Sequence, residues 1–459
     1  MRRYVALALA FALFNSNGCS EPSASADSGT DAPQFDASED ASNPPLDDAW
    51  RAPDAPTYVD AGMPPRFMVG LSQIRGPIVA LAQQTGTHWI RQTLGWDDIE
   101  RTTESNGLTL TDAMSREALE TYVRTHDFTT ADENVARFTR LGMEVVVGVG
   151  SGWNQAIPTL PDGRPAAPDF LGRDEYIARQ VLVTRALVER FDADGYLDAE
   201  GSPRVGMIQI ENELNEAVIT AVGGARAPSG TDALASAWSN RAFVDQLLRA
   251  LAAAVRDADP TAVITTNLHI SIPANFDRLL GVDAWPRALA RWVDLIDVIG
   301  LDAYPNYLRA DPVEGERIGD QIRQAREIGR GRFVLVVETG YASGPSDVGF
   351  NEARQAEYLR ESFTAAREAG AIGLFWYGST TAETPYEASP EDISALAELA
   401  AAYDTGDASA FVRLTSNMAY YQEHVVPLID ASSAQMGLIR ADGTHKLAWD
   451  AYVAETMRP

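Results

Sequence analysis

The chain is poor in cysteine, in positive charge and in clustered metal ligands. Its one cysteine, Cys19, permits no intrachain disulfide and no cysteine-built zinc site in 459 residues. Lys plus Arg number 37 against 65 Asp plus Glu, a formal charge of −28. Phosphate backbones are held by cationic side chains, so this balance argues against nucleic acid, and a membrane is expected only through an attached lipid. The five histidines (His88, His126, His269, His424, His445) are scattered, and no His-x-His follows the first apolar strand. No metal and no cofactor are therefore expected. A G-x-S-x-G elbow is missing around every serine, which disfavours an α/β-hydrolase triad. What is present is ample apolar material, 45% of residues with 8% aromatic, enough for a sizeable core.

The acidity is uneven. Residues 20–64 carry ten acids against the single base Arg51, and residues 65–459 retain a charge of −21. This stretch is crowded with Ala, Ser, Pro and Asp, cannot bury enough surface to offset its ordering entropy, and reads as an extended tether. Before it stand Arg2, Arg3 and the apolar run Val5 to Phe14, too short to span a bilayer and typical of an export signal. Ser16 and Gly18 lead into Cys19. The segment resembles a bacterial lipoprotein signal, with residues 1–19 as signal, Cys19 as the lipidated residue and Ser16 where that box usually has Leu. The resemblance implies an exported chain anchored by lipid to the outer membrane or cell surface. The alternative is an ordinary cleaved signal, an incidental cysteine and a secreted product.

From Arg66 onward, short β-branched runs alternate with longer amphipathic stretches. Eight strands are expected, centred on Phe67–Leu71, His88–Gln92, Glu144–Val149, Met207–Glu211, Val263–Asn267, Val298–Asp302, Phe333–Val337 and Ile372–Trp376. Several are apolar on both faces, as in a parallel sheet covered by helices. Helices are expected over Arg173–Phe191, Asp232–Ala258, Val313–Ile328 and Glu352–Ala369. This order predicts an α/β fold, a (β/α)₈ TIM barrel spanning 65–459 with an elaborated C-terminal loop and helical region after Trp376. A doubly wound sheet is second, but no G-x-G-x-x-G turn follows the first strand.

Barrel chemistry sits at the C-terminal ends of strands. Those ends carry Arg91, Gly150 to Asn154 with Trp153, Glu211 to Glu216, Asn267 with His269, Asp302 to Pro305 with Tyr304, Glu338 and Trp376. Glu213 and Glu338 each follow a long apolar strand, where a carboxylate must be paired, metal-bound or catalytic. With metals and serine triads disfavoured, a carboxylate pair facing across a sugar is the remaining chemistry. Glu211, two residues from Glu213 in an extended segment, is expected to point the same way and is the rival acid.

These residues resemble the clan A retaining glycoside hydrolases. Gln209-Ile210-Glu211-Asn212-Glu213 matches that group's Asn-Glu at the end of strand four, and Val336-Val337-Glu338-Thr339-Gly340 its strand-seven glutamate. Leu214 stands where the group often has proline. The resemblance implies that Glu213 is the general acid/base, Glu338 the nucleophile and Asn212 a donor to the sugar 2-hydroxyl. Arg91 and Tyr304 would hold Glu338 ionised, and the charge of Glu338 would keep Glu213 protonated. Trp376, Trp153 and Trp96 offer flat faces for sugar rings, and His269 and Asn267 line a subsite. The expected protein is a monomeric, surface-tethered retaining β-glycosidase acting on an oligo- or polysaccharide. A carbohydrate-binding lipoprotein that keeps the barrel without turnover is the alternative, and a different barrel hydrolase or lyase is third.

Overall fold

A computed structural model describes residues 66–72, 79–150, 157–199, 204–215, 237–270, 285–307, 309–378, 386–405, 423–440 and 442–458, with 407, 409, 410 and 420. The signal, the tether, Cys19 and Trp153 lie outside these residues.

Eight parallel strands close into a barrel in sequence order: β1 (Met68–Ser72), β2 (Trp89–Gly95), β3 (Glu144–Gly150), β4 (Met207–Ile210), β5 (Ile264–His269), β6 (Val298–Asp302), β7 (Phe333–Thr339) and β8 (Gly373–Tyr377). The expected (β/α)₈ architecture is what the chain forms, and every expected strand lies within three residues of an observed one. The helices Arg173–Arg190, Arg317–Ile328 and Glu352–Glu368 fall within expected spans. Arg241–Ala258 begins nine residues later than the apolar periodicity suggested, because Asn240 caps it by accepting from the Phe243 N–H. In the elaborated C-terminal region expected after Trp376, Pro390–Thr405 and Val426–Ala434 are helices, and residues 411–419 lie outside the described ones.

Two-residue alternation sorts each strand between two cores. Residues facing outward, such as Ile90, Val147, Ile208, Ile299, Val336 and Leu374, join the helices in one large apolar layer. Those facing inward at the lower end, Met68, Val146, Met207, Val298, Leu335, Val337 and Phe375, fill the barrel floor. Phe375 occupies the axis because β1 offers Gly70 beside it: a Cβ there would stand 2.3 Å from the ring. Full burial of one such ring stabilises by about 1.5–3 kcal/mol.

Above this floor the inward positions turn polar: Ser72, Arg91, Gln209, Asn267 and Asp302, all at most 2% exposed. The mouth is covered by a third cluster, in which Tyr304, Tyr307 and Tyr377 pack with Leu396, Leu399, Val425, Val426 and Met436 of the C-terminal region. The last helix, Leu447–Thr456, lies on Glu352–Glu368 and closes the ring, Thr456 Oγ1 donating to the Thr85 carbonyl at 2.6 Å.

Candidate active site

Strand β7 sets the position of Glu338. Its inward residues are Phe333, Leu335 and Val337, so strict alternation would send Glu338 outward into the helix layer. The ladder instead skips a residue: Leu301 pairs with Val336 but Asp302 with Glu338, and the β8 register shifts over the same stretch. This bulge turns the carboxylate inward, where Arg91 Nη1 forms an ion pair with Oε1 and the Tyr304 hydroxyl donates to Oε2 at 2.9 Å. Thr339 then faces out, donating to the Ala303 carbonyl at 2.6 Å.

Glu213 is aimed by a different device. Past the end of β4, Glu211 and Glu213 both take left-handed backbone conformations, φ 57° and 48°. Such angles cost free energy for residues with side chains and persist where surrounding contacts enforce them. The Gln209 amide donates to the Glu211 carbonyl at 2.8 Å, and the Glu213 N–H donates to Asn267 Oδ1 at 3.2 Å. The expected extended segment is therefore broken, and the two carboxylates part company. Glu211 is turned against Gly150, whose φ of +97° and missing Cβ make room: a Cβ there would lie 2.7 Å from the Glu211 Cδ. Glu213 enters the site, 0% exposed, with one oxygen 2.9 Å from His269 Nδ1.

Arg91 ties the elements together. Besides Glu338, its guanidinium donates to Gln209 Oε1 at 2.7 Å, Ser72 Oγ at 3.0 Å and Asn212 Oδ1 at 2.6 Å. Asn212 Oδ1 also accepts from Asn267 Nδ2 at 2.7 Å, which fixes the amide so that Nδ2 faces Glu213 at 3.2 Å. Asn215 and His269 exchange two hydrogen bonds at 2.9 and 3.1 Å, locking the β4 and β5 ends in register.

A third carboxyl was not assigned a role from sequence. Asp302, inward at the end of β6 and 0% exposed, accepts from Asn267 Nδ2 and hydrogen-bonds Glu213. One oxygen each of Glu213, Asp302 and Glu338 lie within 4.8 Å of one another. Burial, followed by the charges of Glu338 and Glu213, pushes Asp302 well above the usual carboxylate range. Burial also raises Glu213, but the His269 hydrogen bond and charge, with the Asp302 hydrogen bond and Arg91, bring it below its ordinary value. Glu338 is moved upward, burial outweighing Arg91 and Tyr304, both of which hold its ionised form. Of this trio, Asp302 is the member pushed most strongly toward its neutral form, while the sequence reading expected the acid form at Glu213. An all-oxygen trio at this spacing could surround a cation, but Arg91 already supplies positive charge and Asp302 favours its neutral form.

The structure gathers Arg91, Asn212, Glu213, His269, Tyr304 and Glu338 in one site. It does not bring Trp376 there. Phe375 and Tyr377 take the inward positions of β8, so Trp376 faces the helices, 0% exposed, with its ring 6.1 Å from Tyr358 and Nε1 donating to the Met436 carbonyl at 2.9 Å. The ring that β8 places at the mouth is Tyr377, 6.3 Å from Tyr304, a position the same alternation identifies when counted from Phe375. Trp96 is also core, its Nε1 donating to Glu100 at 2.8 Å.

No family model matches the sequence, and no curated protein matches it either. Solved structures do resemble it. A GH5_18 protein from Streptomyces cattleya, solved as a variant in complex with Manβ1-4GlcNAc, aligns at TM-score 0.51 and 13% identity, over 83% of this chain and 74% of that one. The likeness is one of fold. A glucosidase from Croceicoccus marinus aligns at TM-score 0.48 and 12% identity, over 86% of this chain and 68% of its own. The exo-β-1,4-mannosidase Op5Man5 from Opitutaceae bacterium strain TAV5 gives 0.49 and 15%, with 85% of this chain covering only 59% of its length. The structural neighbours are glycoside hydrolases, several of them longer than this chain.

Proposed function

We propose that this protein is a β-glycoside hydrolase acting on an oligo- or polysaccharide by double displacement with retention. The observation that carries this reading is the approach of Glu213 and Glu338, whose nearest oxygens lie within 4.8 Å. Retaining pairs stand about 5–5.5 Å apart, and inverting pairs, which need a water between them, about 6.5–9.5 Å.

Glu338, charged against Arg91 and Tyr304, attacks the anomeric carbon and forms a glycosyl ester. The leaving oxygen takes its proton from Glu213, which Asp302 recharges across their shared hydrogen bond. Glu213 then removes a proton from the water that hydrolyses the ester and passes it back to Asp302, which restores the starting state. Asn212 Nδ2, oriented by Arg91 and Asn267, is the donor for the sugar 2-hydroxyl. His269 holds the Glu213 carboxyl in place through Nδ1. In this reading the barrel is exported and tethered at the cell surface by a lipid on Cys19, through the acidic segment 20–64. The β-mannosyl ligand of the Streptomyces cattleya protein makes aryl β-mannosides the first substrates to try.

The roles separate in two variants. Glu338→Gly removes the nucleophile and leaves a cavity that azide can occupy, so an activated aryl glycoside should yield a glycosyl azide of inverted configuration. Glu213→Ala should still form the ester from an activated substrate, and azide should then accelerate turnover to a product of retained configuration. Near wild-type hydrolysis by both variants would overturn the assignment. Absence of turnover by the native protein across β-glycoside panels, with binding intact, would favour the sugar-binding alternative.

A further inference from the structure

The helix Arg173–Arg190 ends on the opposite face of the barrel from the carboxylate trio, and an acidic loop follows it: Asp192-Ala-Asp194-Gly195-Tyr196-Leu-Asp198. One carboxylate oxygen each of Glu189, Asp192 and Asp194 lie within 4.8 Å of one another. The cluster has a feature that surface acids do not share. Glu189 is only 7% exposed and has no hydrogen bond or ion pair among the described residues, yet its carboxylate points at the two loop acids. Asp198, in the same loop, has a buried Oδ1 with no hydrogen-bond partner, its Oδ2 accepting from the Gly195 N–H at 3.0 Å.

The nearby cations neutralise this group only in part: the charge of Arg185, one helical turn away, favours ionised Glu189, but each guanidinium forms its ion pair elsewhere. Arg185 pairs with Asp257 at 2.8 Å, Arg190 with Asp132 at 2.8 Å and Arg204 with Asp259 at 2.6 Å. A buried carboxylate with no hydrogen bond and only a distant cation is costly, so the cluster favours a further positive charge beside Glu189. The helix C-terminus adds its own partial negative charge at the same place.

We propose that Glu189, Asp192 and Asp194 form a structural calcium site. The donors are all carboxylate oxygens, with no nitrogen or sulfur, which suits a hard cation over zinc or copper. They come from a helix end and a short loop and leave ligand positions to water and carbonyls, the flexible arrangement Ca²⁺ accepts and Mg²⁺, with its stricter octahedron, does not. The ion would pin the helix end to the segment leading into β4, where the Val205 N–H already donates to the Phe191 carbonyl at 3.0 Å.

The test uses the full purified chain, Ca²⁺ alone as ligand, and calorimetry with thermal melting at neutral pH. Wild type should bind one Ca²⁺ with a dissociation constant on the order of 10⁻⁴ M and melt about 2–5 °C higher in millimolar Ca²⁺ than in chelator. Asp194→Asn, at an exposed loop position, should fold normally and lose most of both effects. Glu189→Gln should lose the Ca²⁺ response while melting in chelator at or above wild type, because a buried charge has been removed. Tb³⁺ emission sensitised through Tyr196 should appear in wild type and fall in both variants. No Ca²⁺ binding by wild type, an equal response to Mg²⁺, or an undiminished Ca²⁺ response in both variants would overturn the proposal.

Discussion

Replacing Arg91 with methionine isolates the central ion pair, because methionine fills similar volume without charge or donors. The native guanidinium is 0% exposed and serves Glu338, Gln209, Ser72 and Asn212. Removing one partner of a buried pair leaves the other uncompensated, at a cost of about 3–5 kcal/mol. Glu338 can limit that loss by taking a proton. Its native pKa is already above the ordinary value, and without Arg91 it must rise further. A carboxyl raised in the folded state favours folding below its unfolded pKa, and that contribution is lost as pH rises through the folded value. The deficit of Arg91→Met should therefore be small near pH 5 and reach its full size near pH 8. Denaturant unfolding of Arg91→Met, Glu338→Gln and the double variant at both pH values provides the measurement. At pH 8 the double variant should be more stable than the sum of single effects by about 2–3 kcal/mol. Additivity within about 0.5 kcal/mol, or a pH-independent deficit, would refute the claim that this pair carries the electrostatics of the site.

Three further outcomes are expected. Asp302→Asn mimics the protonated acid, so the fold should persist, but it cannot return a proton to Glu213. Hydrolysis of substrates with poor leaving groups should fall about 100-fold and that of activated aryl glycosides far less, and equal losses on both would count against a proton-supplying role. Asp430, on the helix Val426–Ala434 over the mouth, is raised to about 7 by burial. Its protonated form supports folding at low pH, and that support fades as pH rises through about 7. Asp430→Asn should accordingly gain about 1–2 kcal/mol after solvent screening at pH 8 and little at pH 4, read from paired unfolding curves. Cys19→Ser should move the protein from the membrane fraction to the soluble fraction with activity unchanged, and continued membrane association would refute the lipid anchor.

The barrel was legible because its strands follow period-two burial and its helices the three-to-four spacing, and both are properties of neighbouring residues. Glu213 and Glu338 were legible for a related reason, as carboxylates stranded at the ends of apolar runs. What escaped was orientation. Trp376 reads as a mouth residue by its rank at the strand end, but Phe375 claims the axis and forces it outward. Glu211 and Glu213 read as parallel neighbours, because nothing local announces two left-handed residues held by Gln209 and Asn267 across the sheet. Asp302 was in view at the end of β6, yet its importance depends on two acids that are distant in sequence and adjacent only when the ring closes. Glu189 reads as one more charge on a helix until its burial is known.

The bulge in β7 has a bearing on engineering. It lets a single strand supply Val337 to the floor and Glu338 to the mouth, although the two are consecutive and would otherwise face opposite ways. A redesign that regularised this ladder, by deleting one residue or rewarding ideal pairing, would deliver a tidier barrel with its seventh-strand carboxylate stranded among the helices. Such a protein could melt higher than its parent and still lack the carboxylate pair on which the proposed hydrolysis depends. Stability screens applied to this chain would select for that loss unless each round also demanded turnover.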